Sequence, residues 1–358
     1  MKNNKEVFRK KTVLNRSFRL IDLWILRVFA LQLLRRILRP LVFFNTCKWF
    51  MLAFMRPEKL PYMPLYAMIE PTSRCNISCA MCRRSLFKFN RAKMDMPLHE
   101  FKKIIDELSE CFIFVVLWNY GEPLLHKDLE EMIAYCSKKG LITILSTNGL
   151  LLEYERSKKL ISAGLKYIIV SVDATDKWVY NKYRSGSDFN KVEHNVKNVC
   201  KLKKQMNSVF PIVELQCIVM KYNEPQIRDF SRMAKLWGAD RSSLKKFNIS
   251  LSYKYPDNFL PKNSRFISEA FQNDRNIHKL FCVTPWRSLV INSDGNVVPC
   301  CSDYFSDRKM GNAFSSNIKD LWNSQKYVKF RKAIKHNIDA IEICADCPHP
   351  GAQEGHFV

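Results

Sequence analysis

Between residues 61 and 255, apolar runs of strand length alternate with amphipathic runs of helix length, and few folds satisfy that alternation. Strand candidates lie at 65–70, 112–118, 141–146, 166–172, 211–219 and 244–251, the last with the weakest signal. Helix candidates lie near 97–110, 127–139, 153–163, 188–206 and 224–237. Pro97 suits a first helical turn, and Gly140 and Gly164 stand where C-caps belong. Strands alternating with helices predict a parallel sheet with right-handed crossovers. Six such units predict an open, partial barrel, whose chemistry gathers at the C-terminal strand ends.

The most unusual segment, Cys75-Asn76-Ile77-Ser78-Cys79-Ala80-Met81-Cys82, follows the first strand candidate at that end. Three thiolates from one loop can hold three corners of a [4Fe–4S] cube and leave the fourth iron open to a ligand. The competing readings are half of a zinc site, or buried thiols. Zinc ribbons prefer paired C-x2-C knuckles, and the extra residue between Cys75 and Cys79 breaks that pattern. The chain has thirteen cysteines, clustered in two places instead of spread as a disulfide framework, and its start does not resemble a cleavable signal. A reducing compartment is expected, with metal or cluster binding as the use of the clusters. Cys47, Cys111, Cys136, Cys200 and Cys217 stand alone in apolar contexts and read as packing residues. Asn119-Tyr120-Gly121-Glu122-Pro123 and Thr147-Asn148-Gly149 end the second and third strand candidates. Alone they are turns; beside an open cluster they read as a ligand-binding rim.

Charge is concentrated at the N-terminus. Of the net +24, residues 1–60 contribute 14 − 3 = +11. Two apolar stretches, 20–34 and 41–55, flank Arg35, Arg36, Arg39 and Pro40. Each falls short of the roughly twenty apolar residues that a membrane span needs. Trp24, Trp49 and several Phe beside Arg suit a membrane interface better than a nucleic-acid groove. Positions 32, 35, 36 and 39 form a polar stripe, with Arg27 off it. The expectation is a cytoplasmic protein, peripheral on an anionic inner membrane face. The alternative is that these helices pack on the rest of the chain or on a second subunit.

These residues resemble the radical S-adenosylmethionine (SAM) enzymes over roughly residues 62–350. The resemblance implies an α/β fold: a partial (β/α)6 radical SAM barrel with a small C-terminal α+β auxiliary-cluster domain and an N-terminal helical extension. The implied divisions are 1–60, 61–255 and 256–358. Cys75, Cys79 and Cys82 would be the cluster ligands, with SAM chelating the open iron. Gly121, Glu122 and Pro123 resemble the motif that receives the SAM amino group. Ser171 and Asp173 resemble the polar positions near its ribose or carboxylate. Two departures concern cofactor pose: Met81 replaces a frequent aromatic residue, and Tyr120 replaces a frequent glycine. Further on, Cys282, Gly295, Cys300, Cys344 and Cys347 (C-x12-G-x4-C, then C-x2-C) resemble the auxiliary domains called SPASM and twitch. The spacing resembles the shorter form, with one [4Fe–4S] cluster on Cys282, Cys300, Cys344 and Cys347. Cys301 could stand in as a ligand, but the Gly-x4-Cys spacing selects Cys300, and a zinc ribbon stays open because four thiolates also suit zinc. Asn292-Ser293-Asp294-Gly295 between apolar runs predicts a hairpin that brings Cys282 and Cys300 together.

The resemblance implies a radical SAM oxidoreductase. It would cleave SAM reductively to a 5′-deoxyadenosyl radical and abstract a substrate hydrogen, with the auxiliary cluster handling the substrate electron. Its substrate would be a small molecule or glycan, sugar-like or membrane-proximal, and its reductant a flavodoxin or ferredoxin. The alternative is a maturase of a ribosomally made peptide; a rival of another class is a non-catalytic iron–sulfur electron carrier. Nucleic acid is disfavoured as a partner, since scattered lysines usually make a solvated face. No catalytic acid or base is singled out; Arg184, Lys221 and Tyr222 merely fall near expected strand ends.

Overall fold

The computed structural model describes residues 23–86, 91–247, 259–267, 282–345 and 347. Its strands are β1 (Tyr66–Ile69), β2 (Ser78–Cys79), β3 (Phe114–Leu117), β4 (Ile142–Thr147), β5 (Tyr167–Ser171), β6 (Arg184–Ser185), β7 (Ile212–Ile218), β8 (Arg241–Lys245), β9 (Ser288–Ile291), β10 (Asn296–Val298) and β11 (Gly311–Asn312). One sheet runs in the order β11-β10-β9-β1-β3-β4-β5-β7-β8. Every pairing from β9 to β8 is parallel. The hairpin strand β10 and its neighbour β11 extend it antiparallel. The expected partial barrel is therefore present, and the auxiliary segment is not a separate bead, since β9 pairs directly with β1.

The described α-helices of five or more residues are α1 (Leu23–Ile37), α2 (Pro40–Leu52), α3 (Leu98–Leu108), α4 (Leu129–Lys138), α5 (Tyr154–Ser162), α6 (Lys177–Tyr183), α7 (Phe189–Gln205), α8 (Ile227–Leu236), α9 (Ile318–Trp322) and α10 (Gln325–Asn337). In α3 the buried residues are Phe101, Ile104, Ile105 and Leu108, one stripe at helical spacing. Gly140 and Gly164 adopt φ of +76° and +85°, the left-handed geometry expected after α4 and α5. Asp176 and Asp188, whose carboxylates accept backbone N–H groups, start α6 and α7.

The sixth barrel strand spans 241–245 instead of 244–251, whose residues 248–251 lie outside the described ones. Its apolar signal is weak because its inward positions are polar. Ser243 is buried, and its hydroxyl donates to Glu214 on β7, which also receives the Tyr167 hydroxyl.

The N-terminal helices close the floor of the barrel. Phe29, Leu33 and Val42 are buried against Met68, Ile113, Ile142, Ile144 and Tyr167 on the inner sheet face. Phe29 stacks on Phe210, just before β7, at 5.3 Å. Arg36 donates to the carbonyls of Phe112 (2.9 Å), Ser109 and Lys139, in the turns that enter β3 and β4. The expected polar stripe is thus corrected at Arg36: it is a buried plug, not a solvated charge. Asn45 pairs with the Met63 backbone on both sides, at 2.7 and 2.9 Å. All of these partners precede strands, so the hairpin of α1 and α2 covers the N-terminal strand ends.

Candidate active site

Turns at the C-terminal ends of β1, β3 and β4 meet around the cysteine loop. Glu122 N donates to the Arg74 carbonyl at 2.7 Å. A Cβ on Gly121 would fall 1.9 Å from the Thr72 carbonyl oxygen, so only glycine lets the two turns pass. The buried Glu122 carboxylate accepts from Leu124 N (3.1 Å), Thr147 Oγ1 (2.7 Å) and Asn148 N (2.7 Å). Burial pushes this carboxyl up, against the donors that favour its ionised form. Asn148 Nδ2 then donates to Asn76 Oδ1 inside the cysteine loop at 2.8 Å. Glu122 is a staple between turns.

Behind the loop, β2 pairs antiparallel with β6, setting Cys79 opposite Arg184. Ala80 N donates to the Tyr183 carbonyl at 2.7 Å. Arg184 forms a buried ion pair with Asp173 (Nε to Oδ2, 2.7 Å), and Ile218 N donates to the other Asp173 oxygen at 2.6 Å. Asp173 holds a left-handed φ of +60°, which these partners impose. Its carboxylate is committed to anchoring, while Ser171 stays half-buried at the end of β5. Neither Arg184 nor this pairing was singled out by the sequence. The only signal is that an acid follows a strand and an arginine follows the next helix.

Electrostatic coupling links Cys75, Cys79 and Cys82, and separately links Cys282, Cys300, Cys301, Cys344 and Cys347. Cys79 feels Cys82 and Cys75, and Cys75 feels Cys82; burial pushes Cys79 up to about 12 and Cys75 upward. Cys300 feels Cys301, Cys347, Cys344 and Cys282, again with burial as the main upward push. Burial also raises Cys282 to about 11. Among the described residues no three His, Cys, Asp or Glu groups stand ready around a single ion. The donor chemistry is nonetheless all sulfur in both sets, as iron–sulfur ligation needs, and a four-iron cube spreads its ligands more widely than one ion. Thiols that keep their protons when empty release them on cluster binding.

A clasp joins the two sets. Tyr120, in the place of a frequent glycine, donates its hydroxyl to the Cys301 carbonyl and meets the Tyr304 ring edge-on at 5.0 Å. Arg83, next to Cys82, lies 3.7 Å over the Tyr304 ring. Glu70, fully buried at the end of β1, is paired with Arg91 and accepts from Tyr120 N (3.2 Å) and Ser293 N (3.1 Å). Asn119 reaches Asn292 of the hairpin turn at 3.0 Å. Lys245, at the end of β8, completes the rim: burial lowers it to about 8, against the pull of Glu214, Asp173 and Cys301.

The Radical SAM superfamily profile matches residues 69–227, and that of the SPASM iron-sulfur cluster-binding domain matches residues 282–348. Residues 69–227 are a radical SAM domain. A radical SAM chain with a SPASM domain carries a SAM-binding [4Fe–4S] cluster, SAM itself and auxiliary iron–sulfur ligation. A similar protein from Pyrococcus furiosus, the tungsten-containing aldehyde ferredoxin oxidoreductase cofactor-modifying protein, is 25% identical over 79% of this chain and 86% of its own length. The PqqA peptide cyclase of Granulibacter bethesdensis is 24% identical, covering 74% of this chain and 76% of its own. Among solved structures, Streptococcus suis SuiB bound to precursor peptide SuiA has the same fold (TM-score 0.61, 17% identity, 87% of this chain and 75% of that one).

Proposed function

We propose that this radical SAM enzyme modifies a ribosomally made peptide at an unactivated C–H bond. Cys75, Cys79 and Cys82 would hold the SAM-binding cluster, and Cys282, Cys300, Cys344 and Cys347 the auxiliary one. With cluster and SAM bound, the site supplies a 5′-deoxyadenosyl radical that can take a hydrogen atom from carbon. The chain's own part is positioning. The Glu122 carboxylate is spent on Thr147 and Asn148, and the Glu122 and Pro123 carbonyls accept from Leu125 N and His126 N, which leaves the Gly121 carbonyl of the turn to accept from the SAM ammonium. Ser171 offers a hydroxyl at the next strand end, and the Arg184–Asp173 pair fixes the back of the cysteine loop.

The carrying observation is the clasp of Tyr120, Tyr304 and Arg83, which sets both thiol sets on one mouth. An electron carrier needs no such shared mouth beside a SAM-type turn. The peptide class is supported by relatives that match across most of this chain, one of which is a peptide cyclase. A membrane-proximal substrate loses its footing, because α1 and α2 lie at the opposite end of the barrel from the mouth.

Two measurements test this. Anaerobic reconstitution should load about eight irons and the Cys75/Cys79/Cys82→Ala variant about four, with a SAM-dependent EPR change in the parent alone. Four irons plus one zinc would make the second set a structural ribbon. Deuterated peptide and carbohydrate fractions should then be offered separately, reading deuterium in 5′-deoxyadenosine. Label from the carbohydrate fraction alone would overturn the peptide reading.

A further inference from the structure

The floor of the barrel carries a second feature that the chemistry does not use. Among the described residues, ten of the fourteen exposed large apolar side chains fall between Leu31 and Met55. Leu31 (71%), Leu38 (67%), Leu41, Phe44, Met51 (65%) and Met55 (71%) typify the group. Monomers rarely leave so concentrated an apolar surface bare without a use for it. The opposite sides of the same helices are fully engaged, through Phe29, Leu33, Arg36, Val42 and Asn45. This hairpin is therefore fixed to the barrel with an unmatched apolar face turned outward.

Charge selects the occupant. Residues 23–57 contain six Lys or Arg and no Asp or Glu, and Arg35, Arg39 and Lys48 are exposed beside the apolar face. A second copy docked face to face about a two-fold axis would bring these like charges together. Anionic lipid headgroups would complement them while the acyl boundary takes the leucines, phenylalanines and methionines. Among the described residues α1 and α2 cover 15 and 13 positions, and no described helix is long and apolar enough to cross, so the face is read as lying along a surface. We propose that the exposed face of the α1–α2 hairpin docks the enzyme on an anionic lipid bilayer, in the interface plane. Because the hairpin covers the N-terminal strand ends, docking leaves the active-site mouth facing away from the membrane, toward an aqueous peptide.

The test is flotation of the full holoprotein with phosphatidylcholine vesicles, with and without phosphatidylglycerol. Truncation is unsuitable, since removing α1 and α2 would also strip Phe29, Leu33 and Val42 from the barrel floor. The Leu38→Glu/Phe44→Glu/Met51→Glu variant changes exposed positions only. The parent should float with phosphatidylglycerol vesicles, less so at high salt, and the variant's bound fraction should fall about tenfold or more. The variant should keep its melting temperature and its rate of SAM cleavage. The Arg35→Glu/Lys48→Glu variant should lose the preference for anionic vesicles. A parent that stays unbound to both vesicle types, or a triple variant that floats as well as the parent, overturns the proposal. Sedimentation as a dimer that the triple variant dissolves, without flotation, assigns the face to self-association instead.

Discussion

At the scale of single residues, Lys245 shows how the site's surroundings set stability. Burial lowers its ammonium from 10.5 to about 8, more than Glu214 and Asp173 can offset. In the unfolded chain the same group stays charged up to its ordinary value. Between about 8 and 10.5 the unfolded state therefore binds more protons than the folded one, so stability rises with pH across that window. Below it the folded protein carries the cost of a half-buried charge. Lys245→Met removes that penalty. The variant should melt above the parent at pH 7, and the gap should close as pH approaches 10.5. Melting curves of both holoproteins over this range decide it: a constant gap would mean that packing, not protonation, accounts for the change. Gly121 makes the complementary point, since there the constraint is space: the Thr72 carbonyl leaves no room for even one methyl group.

At the scale of elements, β1, the Tyr120 turn and the β9–β10 hairpin turn are tied by one buried carboxylate. Glu70 has Arg91 as its counter-charge, and two backbone donors fill its remaining valence. Arg91→Met should destabilise by about 3–5 kcal/mol, because an uncompensated charge is left inside. Adding Glu70→Gln should recover part of that loss, and denaturant unfolding of the four proteins in the cycle measures the coupling. Independent, additive losses would show that the pair does not act as a unit. The strands, the outer helices and both cysteine clusters were legible in the sequence because periodicity and spacing are local. Glu70 was not: a lone acid closing an apolar run gives no hint of an arginine 21 residues on. Asp173 looked like a ligand-facing polar residue, and only the fold shows Arg184 meeting it through the β2–β6 ribbon. Arg36 looked solvated for the same reason, since its three carbonyl partners lie more than seventy residues away.

At the scale of the molecule, the barrel and the SPASM segment share one sheet and one core. Tyr66, Ala67, Met68 and Ile69 pair in register with Ser288, Leu289, Val290 and Ile291. The indoles of Trp286 and Trp322 donate to the Pro57 and Tyr62 carbonyls at 2.7 and 2.9 Å. Arg331, fully buried on α10, donates to the Pro285 and Glu58 carbonyls at 3.1 and 3.2 Å. The segment leading into β1 is thus seated on the auxiliary domain before the barrel begins. A boundary drawn near residue 256 separates two chemistries without separating two folding units. Parallel pairing at β1–β9 is long-range, so neither half can complete its central strands alone. The holoprotein should therefore unfold in one transition, with tryptophan fluorescence and far-UV circular dichroism coincident. A chain ending at residue 281 should lack that transition altogether, because β1 would lose a neighbour on one side and residues 57–62 would lose their indole donors. Two separated transitions in the parent, with the truncated chain reproducing the first, would show that the sheet pairing adds no cooperativity.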